Sequence, residues 1–348
     1  MGKYTAIDDP SAHFQVKTYT GTGSELAITN DGNSDLQPDW IWIKNTQDNS
    51  TNHHSHNTNV GTTKTLFVNK VDLEETQAQS VKSVQSDGFT LGTWNGNNES
   101  SKSFVAFQWK GTGGSTSTVT DGTINSTAQA NTTAGFSMLN YQMSTGNDTV
   151  GHGLGVAPQV IIWKARFRDG ANGFWSFYTT EYDGSYDYFK LNVDETKLNS
   201  SLSAPTSTVF TGAGSSTTDY QYYMAWCFAP IQGFSKMGSY VGNANADGTF
   251  IYTGFKPAWI IIKLNSNYKY WYTFDHKQNP INQANTGLSP SNDFASNTNT
   301  NIGIDILSNG FKIRNSATTL NESGSTGIYM AFASNPFVSS TGIPATAR

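Results

Sequence analysis

The sequence predicts an all-β chain of three tandem β-sandwich modules of jelly-roll type. Three observations carry this. Short runs of Trp, Ile, Val, Phe and Tyr bounded by Gly, Asn and Asp-Gly fill the chain, helical periodicity is scarce, and one ordered set of motifs occurs three times.

The clearest motif reads Pro38-Asp39-Trp40-Ile41-Trp42-Ile43-Lys44, then Pro158-Gln159-Val160-Ile161-Ile162-Trp163-Lys164, then Pro257-Ala258-Trp259-Ile260-Ile261-Ile262-Lys263. A run that is apolar on both faces reads as a fully buried strand, and the proline marks its start, where no ladder donor is needed. A tyrosine (Tyr19, Tyr141, Tyr240) precedes each proline at near-constant spacing. Downstream, Asp87-Gly88-Phe89, Thr208-Val209-Phe210 and Asn309-Gly310-Phe311 mark turn-and-strand units. Each set ends on a strand centred on apolar–Ala–aromatic: Val105-Ala106-Phe107, Met224-Ala225-Trp226 and Met330-Ala331-Phe332. The small residue there leaves room for an aromatic from a facing sheet. Four anchors in one order give modules at 1–113, 114–232 and 233–348, with about six or seven strands each. The joint Gly111-Thr112-Gly113-Gly114-Ser115 reads as a flexible linker, and Ala229-Pro230-Ile231-Gln232-Gly233 as a short stiff one. The best helical stretch, Val71 to Ala78, allows two turns at most. Stacking in a rod and closure around a pseudo-threefold axis both remain open.

Composition narrows the function classes. Charged residues are 14% and aromatics 13%, with a net charge of −5. Aromatic richness argues against disorder. No Lys/Arg cluster supplies the footprint nucleic-acid binding needs. The single cysteine, Cys227, allows no internal disulfide, and between Trp226 and Phe228 it reads as an inert buried thiol. The opening Met1 to Pro10 lacks the apolar run of a signal peptide, and no run approaches the length of a membrane span. No membrane insertion is expected.

Candidate sites are few. His53-His54-Ser55-His56 contains an H-x-H pair, and His54 and His56 share a face on a strand, so three such pairs could meet on the axis of a trimer. His53 nevertheless falls where the sister modules have Trp175 and Trp271, so the segment reads as a polar strand and no metal is expected. Two aromatic stretches, Phe174 to Tyr188 and Tyr268 to His276, alternate as core-filling strands do. Their outward rings, Trp175, Tyr178, Tyr182, Tyr186, Tyr270 and Trp271, are the candidate ligand contacts, suited to a sugar face or a protein interface. Glu181, Asp183 and Asp187 lack calcium-loop spacing. Gly151-His152-Gly153-Leu154-Gly155 is no dinucleotide fingerprint and reads as a turn with a solvated histidine. No G-x-S-x-G elbow or P-loop occurs, so no enzyme and no cofactor are expected.

Four segments together resemble a family of phage proteins from marine and cyanobacterial hosts, labelled tail-fibre-like. They are Gln37 to Asn45, Ser86 to Gly92, Tyr223 to Ala229, and the joint Gly233-Phe234-Ser235-Lys236-Met237-Gly238-Ser239-Tyr240. The resemblance covers nearly the whole chain. It implies a virion structural protein and brings no catalytic residue. The repeats run almost from Met1 to Arg348 without a heptad shaft, so a compact body is expected: a fibre tip, or a capsid, neck or baseplate decoration. The expectations are therefore a virion protein that adheres to a host-surface polysaccharide or protein, forms a homotrimer and contacts other virion proteins. A decoration protein with no receptor of its own is the alternative, and a polysaccharide depolymerase, which needs a carboxylate pair, is the third.

Overall fold

The proline-led runs are apolar on both faces because each becomes a strand sandwiched between two cores. The computed structural model describes residues 5–144, 146–168, 173–213, 221–266 and 268–344; residues 1–4, on which the leader expectation partly rests, lie outside them. Twelve strands build the inner layers. They are β1 (Phe14–Thr20), β2 (Trp40–Asn45), β3 (His53–Asn57) and β4 (Ser103–Trp109); β5 (Phe136–Met143), β6 (Val160–Arg168), β7 (Ser176–Thr179) and β8 (Gln221–Phe228); and β9 (Ser235–Val241), β10 (Phe255–Leu264), β11 (Tyr272–Asp275) and β12 (Thr326–Pro336). The same antiparallel order recurs in each repeat, β1-β4-β2-β3, β5-β8-β6-β7 and β9-β12-β10-β11. Pairing between named strands stays within residues 14–109, 117–228 and 235–336. The chain is all-β; among the described residues the α-helices are the single turns Asn95–Asn98 and Thr318–Asn321. No helix is long and apolar enough to cross a membrane.

A smaller sheet covers one face of each inner sheet. Leu26–Ile28 and Val81–Gln85 flank Gly88–Leu91 in the first repeat, Asn147–Gly151 pairs with Val209–Ala213 in the second, and Phe250–Tyr252 and Ile304–Leu307 flank Gly310–Ile313 in the third. Gly88, at φ +109°, lies so close to Ile28 that a Cβ would run into the Ile28 carbonyl, and Gly310 stands likewise against Ile251. This close approach accounts for the Asp-Gly and Asn-Gly of the sequence motif. Side chains alternate along the strands. Ile41, Ile43 and Ala106 meet Phe89 of the first small sheet, and Ile161 and Ala225 meet Phe210 of the second. The recurrent alanines are thus the thin positions under those aromatics.

The opposite faces of all three inner sheets share one core. Trp40 stacks on Trp109 at 4.2 Å between centroids and meets Trp226 of the second repeat, tilted, at 5.2 Å. Trp109 meets Trp259 of the third edge-on at 5.5 Å, and Phe332 touches Phe228 at 5.8 Å and Phe14 at 5.1 Å. Each repeat therefore touches both others, which is closure around a common centre and not a rod. Such ring pairs are worth roughly 0.5–1.5 kcal/mol each beyond the area they bury. The segments at the two ends also meet: the Asp8 carboxylate accepts the Ser340 amide at 2.7 Å.

Three expectations change. Among the described residues each repeat holds nine strands, not six or seven. Val71 to Ala78 is extended, with the short strand Glu75–Thr76, because it lies along the second repeat, where Glu74 forks onto Arg166 at 2.6 and 2.8 Å. Gly111 to Ser115 is no loose tether. The buried Asp39 carboxylate accepts the amides of Gly111 and Gly113 at 2.8 Å and of Gly114 at 2.7 Å. Gly113 and Gly114 reach that cradle with φ of +71° and +92°, which side chains would resist.

Candidate functional site

The ends of β2, β6 and β10 and the residues facing them form a ring of clasps between repeats. Lys44 pairs with His53, and the registers of β6 with β7 and β10 with β11 place Trp175 and Trp271 at the same position. The backbone amide of each is capped from its own repeat, by Asn69 at 2.9 Å, Asn192 at 3.0 Å and Ser291 at 3.2 Å. The side chains reach the neighbour. Trp175 Nε1 donates to the Phe67 carbonyl at 2.8 Å and Trp271 Nε1 to the Lys190 carbonyl at 3.0 Å. His53 faces the equivalent Ser289 backbone, but its shorter ring leaves Nε2 short of a full hydrogen bond.

The motif lysines complete the ring. Lys44, Lys164 and Lys263 are fully buried. Lys164 Nζ donates to Val71 of the first repeat at 2.8 Å and also to Gly173. Lys44 Nζ donates to the Asn45 carbonyl at 2.7 Å and lies 3.4 Å from the Asp293 carbonyl of the third repeat. Lys263 donates to Lys269, with Asp194 and Glu195 of the second repeat as its charged neighbours. Burial pulls these amines down from 10.5 to about 8, about 7 and about 8 respectively. The three clasps run in one direction, first repeat to third, second to first, third to second. This is the hand of a cyclic pseudo-threefold.

That ring corrects the expected ligand surface. Trp175 and Trp271 are 0% exposed because they bury toward the neighbouring repeat. Tyr178 and Tyr186 are buried against one another, and Tyr178 stacks on Tyr188 at 4.8 Å. Tyr182 is half-buried, edge-on to Phe189. Only Tyr270 of the six faces solvent, at 37%.

His54 and His56 share a face as expected, but that face is interior. Asn97 joins them, at 2.6 Å to His54 Nδ1 and 3.0 Å to His56 Nε2, and Ser80 Oγ lies 3.1 Å from His56 Nε2. Burial, the largest cause, lowers their pKa values to about 3 and about 4. Among the described residues no group of three His, Cys, Asp or Glu could hold a metal. His152 is buried, not solvated: its Nε2 lies 3.1 Å from the Thr206 carbonyl and its Nδ1 accepts the Leu154 amide. Cys227 is fully buried, and burial raises its pKa. Asp183 and Asp187 both grip Lys197, at 2.9 and 2.5 Å, so these acids form an ion-pair cluster.

Two of the open recesses among the described residues bear on function. One lies in the third repeat, about 160 Å³, where Tyr270, Tyr272 and Phe294 stand beside Asn292, Asn297 and Asn299. Phe294 is 54% exposed. Sequence reasoning reached Tyr270 but missed Phe294, whose signal was a lone aromatic in the Asn-rich stretch Ser291 to Asn301. The other, about 430 Å³, lies on the seam between the second and third repeats, lined by Gln159, Glu181, Lys236, Met237 and Tyr252. Burial raises Glu181 and lowers Lys236.

Residues 9–336 match the model of a family described as a domain of unknown function, DUF7483. The chain belongs to that family. The DUF7483 match runs across all three repeats, so the clasps and the shared core lie within one family unit. No curated protein matches the chain.

Proposed function

We infer that this DUF7483 chain is a virion structural protein of tail-fibre type that adheres to a host-surface glycan. The observation that carries the reading is the recess of the third repeat. Exposed Tyr270 and Phe294 offer ring faces to the apolar side of a sugar, and Asn292, Asn297 and Asn299 offer amides to its hydroxyls. The tail-fibre-like motifs that span the chain supply the virion setting, and with it a homotrimer whose sedimentation would give three times the 37.8 kDa of one chain. The test is binding of purified protein to host cells and their polysaccharide, with competition against phage adsorption. Tyr270→Ala and Phe294→Ala are expected to weaken binding at least tenfold with an unchanged melting temperature. Wild-type binding by both variants refutes the recess as the contact.

A second reading, a decoration protein without a receptor, is favoured by one surface. Val241, Phe250 and Tyr252 of the third repeat are exposed close together, a patch suited to another virion protein. A copy number per particle far above that of tail fibres would favour it.

A further inference from the structure

The three seams between repeats are built from equivalent positions but are not equally filled. At the seam of the first and second repeats these are Asp39, Asn59 and, on β5, Met138. Between the second and third they are Gln159, Glu181 and, on β9, Met237. Between the third and first they are Ala258, Lys277 and, on β1, Val16.

The first of these seams is plugged by the chain itself. The strand Ser126–Asn131 pairs with the outer edge of β5 and sets Gln129 opposite Met138. Gln129 is fully buried. Its amide donates to Asp39 at 3.1 Å, and its carbonyl oxygen lies 2.9 Å from Thr58 Oγ1, whose proton goes to Asp39. At the third-to-first seam Gln15 of β1 fills part of the gap, bonding the carbonyls of Ser11 and Ser34 and the Gly32 amide, beside a smaller recess of about 270 Å³ lined by Val16, Ala258 and Lys277.

The second-to-third seam has neither plug. Among the described residues no strand pairs with the outer edge of β9. The Ala333 amide bonds Phe234, so alternation along β9 turns the backbone of Met237 and Ser239 outward. The recess of about 430 Å³ opens beside Met237 and Gln159, the counterparts of the two residues Gln129 meets at the plugged seam. Glu181 lines it half-buried, and among the described residues no hydrogen bond reaches its carboxylate. An unpaired edge over a polar recess is a ready seat for an added strand.

We propose that β9 and the recess beside it bind an extended segment of a partner protein, which adds a strand to the edge and inserts one amide-bearing side chain between Gln159 and Glu181. The occupant's chemistry is given by Ser126–Asn131, which does this at β5. The proposal stands apart from the glycan reading, because the two sites share no residue.

The probe is a fluorescein-labelled peptide with the sequence of residues 124–132, titrated into the full chain and followed by fluorescence anisotropy. Saturable binding is expected. It should weaken at least tenfold when the peptide carries Ala in place of Gln129, and at least tenfold in the Ser239→Pro protein, whose proline removes only an outward amide. Glu181→Ala, on the recess wall, should weaken it similarly and serves if Ser239→Pro melts early. Tyr270→Ala should bind the peptide as the parent does. Absence of saturable binding up to about 1 mM overturns the proposal. So does binding that survives both Ser239→Pro and Glu181→Ala, which would report exchange of the strand at β5.

Discussion

Asp39 offers the sharpest test of how the first and second repeats are joined. Its carboxylate is fully buried and accepts five hydrogen bonds, from three glycine amides, Gln129 and Thr58, with no cation among them. In Asp39→Ala all five donors lose their acceptor. The Gly113 and Gly114 amides and the Thr58 hydroxyl are partly open to water and recover much of the loss by hydration. The Gly111 amide and the Gln129 side chain are interior and cannot. A hydrogen bond to a charged group contributes about 1.5–3 kcal/mol, so two interior bonds give a destabilisation of about 3–6 kcal/mol. Urea unfolding followed by tryptophan fluorescence measures it, and limited proteolysis reads the release of residues 111–115. Asp39→Asn keeps one acceptor oxygen and should fall between the parent and the alanine variant. A loss below about 1 kcal/mol in Asp39→Ala, with the joint still resistant to protease, would show that the glycine loop holds its shape without the carboxylate.

Trp175→Phe loses the Nε1 bond to the Phe67 carbonyl, which keeps the Lys70 amide at 3.2 Å. Loss of that hydrogen bond should cost about 0.5–1.5 kcal/mol in urea unfolding, and Trp271→Phe a similar amount. Stability should rise with pH between about 7 and 10. The folded chain gives up protons from Lys44, Lys164 and Lys263 near pH 7–8 while the unfolded chain holds them to 10.5. The cost of burying the ammonium groups is thus present in full below that window and relieved above it. A higher urea midpoint at pH 9 than at pH 7, flattened in Lys164→Met, is the expected result. His54 and His56 bind protons in the unfolded chain at 6.5 and in the folded chain only near 3 and 4, so stability should fall further as pH drops below 6.5. Millimolar Zn²⁺ should leave the melting temperature unchanged, because Asn97 and Ser80 already occupy the inward nitrogens of that pair.

The repeated motif made the inner strands legible, since an apolar run with a leading proline and a closing lysine is hard to place anywhere but a two-faced core. What faced the second core was not legible. Trp175 and Trp271 read as outward rings in the sequence, because a module taken alone leaves their face to solvent. The three modules bury it on one another, which no local pattern encodes. His53 occupying the tryptophan position was visible by alignment of the repeats, yet its meaning as a place in an inter-repeat ring required the neighbour's backbone. The glycines of residues 111–114 read as flexible because their composition is that of a tether; the acceptor that orders them lies some seventy residues earlier in the chain. Phe294 stood in a stretch without strand periodicity, where sequence offers no means to say which way a ring points.

The hydrogen bond between Asp8 and Ser340 gives the pseudo-threefold a topological consequence. The segments that flank the first and third repeats at Asp8 and Ser340 lie side by side, so the three repeats form a closed circuit in which their order depends on where the polypeptide is cut. A circular permutant joined between those segments by a few glycines and opened at the exposed turn of Gly184 keeps every clasp, every seam and the whole aromatic centre, and should fold to the same body with its new ends on the rim of the second repeat.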